Sequence, residues 1–98
     1  MTGPLTLTPG HAPAGATRLT VAGEIDMSDI GTLAPAIETT QGPLIVDLTA
    51  VDHLDSAGLS VLFRHADRVE IVATPLLAPV LTISGLTRLT TVHGLEET

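Results

Sequence analysis

No cysteine, lysine, tryptophan or tyrosine occurs in this 98-residue chain, and its single aromatic residue is Phe63. Without cysteine there are no disulfides, no thiolate chemistry and no zinc site built on sulfur, although a cysteine-free chain folds in any redox compartment. Without lysine there is no P-loop amine and no Schiff base, and without tyrosine no phenolic acid, so several enzyme classes and their cofactors drop out. Positive charge is scarce as well. Four Arg stand against eleven Asp and Glu, giving a formal charge of −7, which leaves no basic face to neutralise phosphates and excludes nucleic acid as a partner. No run approaches the ~18 apolar residues of a spanning helix. Met1 to Arg18 shows no basic cluster leading into an apolar core, so the expectation is a cytoplasmic protein with no direct membrane insertion.

What the chain has is aliphatic residues, with a hydrophobic fraction of 44%, enough for one core made of Leu, Val, Ile and Ala. At this length a second core would have nothing left to bury, so residues 1–98 are read as a single domain. The net charge favours a monomer that meets a complementary basic partner.

Hydrophobic period divides the chain. Leu5–Thr8 alternates like a short strand, and Pro9 to Gly15 reads as a loop because Pro and Gly crowd it. Arg18–Ile25 alternates again, with Leu19, Val21 and Ile25 on one face, so the two strands can pair as a hairpin. Ile30, Leu33, Ala34 and Ile37 then fall at helical spacing with Ser28 placed to cap, while Pro35 predicts a kink or a start delayed to Thr32. Leu44–Leu48 is nearly unbroken apolar sequence, the mark of a central strand covered on both faces. Ala57–Arg68 has a helical stripe of Leu59, Leu62, Phe63 and Ala66; Val69–Ala73 is a strand. Thr74–Pro75 opens a third helix that ends at Ser84–Gly85, and Leu89–Val92 is a last strand. This order predicts an α/β fold: a mixed sheet of about five strands opening with a hairpin, with three to four helices packed on it.

Polar residues with chemical potential concentrate at Asp52-His53-Leu54-Asp55-Ser56-Ala57-Gly58, between the central strand and the cleanest helix. In α/β sheets, sites gather outside the carboxyl ends of strands. A hydrolase elbow would need glycine two places before and two after Ser56, and Leu54 occupies the first of these. A metal site would need a second His at converging distance from Asp52, His53 and Asp55, which is missing. Asp55 or Ser56 can simply cap the helix. A regulatory phosphosite is the fourth reading: a helix start offers free backbone donors and a favourable dipole, so a phosphate on Ser56 is tolerated while a docked partner feels ~1.5 to 2 added negative charges.

Three stretches in this order and spacing resemble the STAS domain, the family of sulfate transporters and anti-sigma factor antagonists. They are Gly23-Glu24-Ile25-Asp26, Ile45-Val46-Asp47-Leu48 leading into Asp55-Ser56-Ala57-Gly58-Leu59, and Ser84-Gly85-Leu86. The resemblance implies a STAS fold and a non-enzymatic anti-sigma factor antagonist that needs no cofactor. Its implied phosphorylation site is Ser56, the partners being an anti-sigma factor that is itself a serine kinase and a phosphatase that resets the cycle. In such partner switching the unphosphorylated form binds the kinase and frees its sigma factor. Asp26 and Asp55 would border the docking surface, together with Ala57 and Gly58. Ser60, Val61 and Arg64 are expected on the exposed face of the helix. The alternative within the family is a regulatory or structural subunit of a membrane transport complex.

Overall fold

The structure, a computed structural model, describes residues 6–11, 16–25, 30–40 and 42–94. Five strands form one sheet in the order β1 (Thr6–His11), β2 (Thr17–Ile25), β3 (Leu44–Leu54), β4 (Val69–Val72) and β5 (Val92–His93). β1 and β2 pair antiparallel, and every later neighbour is parallel. Helices α1 (Ile30–Glu38), α2 (Ser56–Arg64) and α3 (Ala78–Ile83) fill the crossovers, with short 3₁₀ turns at Pro75–Leu77 and Leu86–Arg88.

The opening hairpin and the mixed sheet agree with the sequence reading. Helices are not on both faces, however. Each parallel step moves in the same direction across the sheet, so right-handed crossovers leave all three helices on one side. Burial agrees: Leu19, Val46 and Ile71 lie in register beneath the helices, at 5%, 0% and 0% exposure. The opposite face carries the in-register row Thr20, Asp47, Val72 and His93. β3 is therefore central in the sheet but covered by helices on one face alone.

Element bounds shift for local reasons. Pro9, Gly10 and His11 belong to β1 rather than to a loop; β1 is an edge strand, where one row of backbone groups needs no partner and proline is tolerated. α1 begins at Ile30, not at Thr32, and Pro35 sits inside it. The Ser28 cap expected for it lies outside the described residues. β3 runs on to Leu54 because two register shifts, at Thr20/Ala22 and Gly23/Glu24, keep it paired with β2 beyond the end of β4. α2 ends at Arg64, and His65–Arg68 closes in tight turns, with Ala66 N–H donating to Phe63 O and Arg68 N–H to His65 O. The last strand is Val92–His93, since Leu89 N–H turns back to Leu86 O and extends the preceding 3₁₀ turn.

The side chain of Arg68 joins this chain reversal to the end of α1, donating to the carbonyls of Ile37, Thr40 and Gly42. The guanidinium thus satisfies carbonyl groups that a helix C-terminus otherwise leaves open.

Candidate functional site

β3 delivers the chain to the carboxyl end of the sheet, and Asp55 turns it into α2. Asp55 has extended backbone, φ −92° and ψ −178°, and its Oδ1 accepts from Ala57 N–H at 3.0 Å and Gly58 N–H at 3.1 Å. Its own N–H donates to Ile25 O at 3.1 Å, which ties the turn to the end of β2. Asp55 is therefore the N-cap. Ser56, one residue further, is the first residue of the helix and is exposed. The sequence left either residue as the cap; the geometry gives that task to Asp55 and leaves the Ser56 side chain out of it.

Behind this turn α2 approaches the sheet closely. A Cβ on Gly58 would stand 2.5 Å from Ile25 Cγ2 and 2.6 Å from Leu54 Cδ1. The helix start is thus seated on the last residues of β2 and β3 through a residue with no side chain. Gly58 is buried and is corrected from a surface contact to a packing position. Val61 needs the same correction: it is 0% exposed and belongs to the core, because the inward stripe of α2 includes Gly58, Leu59, Val61 and Leu62. The wider stripe follows from a helix that packs against α1 as well as against the sheet.

The outward side of α2 is Ser56, Ser60 and Arg64, all exposed, with Ala57 half-buried. Spaced four residues apart, the three follow one line along the helix. Ser60 Oγ donates to Ser56 O at 2.9 Å, inside the helix's own backbone ladder. Asp52 and His53 are exposed at the end of β3 beside the turn. Asp26 lies outside the described residues.

A second polar cluster sits on the helix-free face. Asp47 is buried, and its Oδ2 accepts from Arg18 Nε at 3.1 Å and also from Arg18 Nη2. Its Oδ1 accepts from Thr49 N–H at 2.9 Å and Thr49 Oγ1 at 2.6 Å. Burial by itself would raise this carboxyl's pKa; the Thr49 hydrogen bonds and the Arg18 guanidinium outweigh it and hold Asp47 below the ordinary carboxylate range. On the same face His93 Nε2 lies 2.6 Å from Glu70 Oε1. Both pairs are diagonal neighbours across adjacent strands, so they brace the sheet. The sequence hid the Asp47 cluster because Arg18 and Asp47 are 29 positions apart.

A cleft lies at the other end of the sheet from Ser56, lined among others by Pro43, Ile45, Asp67, Arg68 and Glu70. It follows the amino ends of β3 and β4, and its one cation, Arg68, is already committed to main-chain carbonyls. Among the described residues no group of three His, Asp or Glu converges as a metal site, and no helix is long and apolar enough to cross a membrane.

The fold is thus a mixed five-stranded sheet with its helices on one face and an Asp-capped, serine-led helix at the carboxyl end of its central strand. The chain belongs to the STAS domain family, whose profile matches residues 11–91. Among solved structures it is similar to an anti-sigma factor antagonist from Mycobacterium paratuberculosis, at 26% identity over 92% of this chain and 86% of that one, with a TM-score of 0.83. Two more distant structures speak to the fold alone. They are a STAS-domain anti-sigma factor antagonist from Rhodobacter sphaeroides (12% identity, 70% of this chain and 84% of that one, TM-score 0.53) and an uncharacterised protein from Shewanella loihica (15%, 100% and 90%, 0.58). No curated protein matches the chain.

Proposed function

We propose that this chain is an anti-sigma factor antagonist acting as a single domain in the cytoplasm by phosphorylation-controlled partner switching. The unphosphorylated form binds an anti-sigma factor with serine kinase activity and so releases a sigma factor; phosphorylation of Ser56 ends that binding, and a phosphatase restores it. The likeness to the mycobacterial antagonist supports the general role. The observation that carries the switch is the division of work at the helix start: Asp55 caps α2, and Ser56 stands exposed beside it.

A phosphate on the exposed Ser56 side chain would stand at the positive dipole end of α2 while Ala57 and Gly58 N–H stay with Asp55 Oδ1, so the fold is kept. The partner would meet ~1.5 to 2 additional negative charges next to Asp55 and Asp52 inside a closing interface, where repulsion and desolvation oppose docking. The kinase supplies ATP and catalysis, so this chain contributes an acceptor hydroxyl and a docking surface. Ser60, Arg64 and Ala57 extend that surface along α2, and Asp55 borders it.

The test pairs a titration of the candidate kinase with the unmodified and the phosphorylated chain. Binding that falls at least tenfold on phosphorylation, with the fold unchanged by circular dichroism, supports the switch. Equal binding by both forms rejects it, and purification with a permease complex instead would turn the reading to the transport subunit.

A further inference from the structure

The polar groups along the outward line of α2 differ in what they still lack. Asp55 Oδ1 at its head is taken by Ala57 and Gly58 N–H, and Ser60 Oγ donates to Ser56 O. Arg64 is exposed, and among the described residues its guanidinium has no hydrogen-bond or ion-pair partner. This separates it from Arg18, held by Asp47, and from Arg68, held by main-chain carbonyls. Neither acid that could have served it does so. Asp67 is three residues on, but α2 stops at Arg64 and the chain closes in tight turns. Glu38, at the end of α1, has its carboxylate 3.9 Å from His65 Nε2 instead. A cation in the last turn complements the helix dipole, yet any position in that turn would do so, and the dipole does not ask for the line that also displays Ser56.

We propose that Arg64 sets partner choice on this surface and that its counterpart on the anti-sigma kinase is a carboxylate. The inference rests on the functional reading above, in which the kinase closes over Ser56. Eight residues of helix place Arg64 about 12 Å from Ser56. A standard interface covers about 800 Å² per partner, a disc of about 16 Å radius, so a footprint centred on Ser56 takes in Arg64. Inside it the guanidinium gives up water without an acceptor from its own chain, and a charge covered without a partner is costly. A carboxylate is the group whose two oxygens match the planar fork of the guanidinium. A kinase with a basic or apolar surface at this position is disfavoured, which gives discrimination that the exposed serine alone does not supply. Sign separates this contact from the field of the whole molecule. At a net charge of −7, removing one positive charge strengthens long-range attraction to a basic partner, whereas it weakens binding where Arg64 meets a carboxylate.

The test titrates the candidate kinase with the full unphosphorylated chain as wild type, Arg64→Lys, Arg64→Gln and Arg64→Glu, each checked by a circular dichroism melt. The expected loss is at least about tenfold for Arg64→Glu and smaller for Arg64→Gln, with Arg64→Lys nearest to wild type. The melts are expected to differ little, since Arg64 makes no side-chain bond among the described residues. The loss in Arg64→Glu is also expected to shrink as salt rises from about 0.05 to about 0.5 M, which a purely structural role would not produce. Arg64→Glu that binds as tightly as wild type, or more tightly, overturns this inference and leaves the Ser56 switch standing. A wild type that does not bind the kinase overturns both.

Discussion

At Asp55 and Ser56 the division between capping and display leads to opposite expectations for two adjacent alanine substitutions. Asp55→Ala removes the oxygen that accepts from Ala57 and Gly58 and should cost about 0.5–2 kcal/mol in urea unfolding. Ser56→Ala, at an exposed position outside the cap, should stay within about 0.5 kcal/mol of wild type. Equal losses for the two would mean that Ser56 shares the cap. Asp47 gives a different kind of residue-scale expectation. Its native carboxyl is more acidic than its unfolded one, so the unfolded state binds more protons in the acid range. The stability it contributes is full above the unfolded value near 3.9 and is lost as pH falls through the lower folded value. Asp47→Asn should lower stability at pH 7 by about 1.5–3 kcal/mol, the range for a hydrogen bond to a charged group. It should also flatten the decline in melting temperature below about pH 5; a wild-type slope retained in Asp47→Asn would assign acid sensitivity to other carboxylates.

At the scale of elements, α2 shows how much periodicity reveals and where it stops. Leu59, Leu62 and Ala66 point inward as their spacing predicts, because a stripe of that period has to face the sheet. Val61 was legible only as an off-stripe residue, since nothing in its own sequence neighbourhood reports that α1 packs against this helix. Gly58 likewise looked like part of a surface motif, although its burial depends on Ile25, 33 positions earlier, and on Leu54. Gly58→Ala should therefore destabilise by about 1–3 kcal/mol through overpacking, despite a gain of up to about 1 kcal/mol in helix propensity. Because the strain falls at the seat of α2, it should also weaken kinase docking. A stable, fully binding Gly58→Ala would show that Ile25 and Leu54 yield easily. The strand ends were the least legible elements. The central strand reads as Leu44–Leu48, and only the irregular pairing with β2 carries it on to Leu54.

At the scale of the whole molecule, the order of strands and helices was enough to predict the mixed sheet, because short crossovers leave few topologies. The single-sided helix layer follows from the sequential strand order, which composition does not report. Net charge was legible as a number but not as a distribution over the surface. The acidic surroundings of Ser56 lead to one more expectation, that kinase binding weakens as salt rises from about 0.05 to about 0.5 M. Binding that is indifferent to salt would argue for an apolar docking contact. The most direct test of the central claim is intact mass after incubation with the candidate anti-sigma kinase and ATP, for wild type and Ser56→Ala, followed by binding of each product to the kinase. The account predicts one phosphate on wild type, none on Ser56→Ala, and release of the kinase by the phosphorylated chain alone. A phosphate retained in Ser56→Ala, or no phosphate together with intact binding in every form, would contradict it.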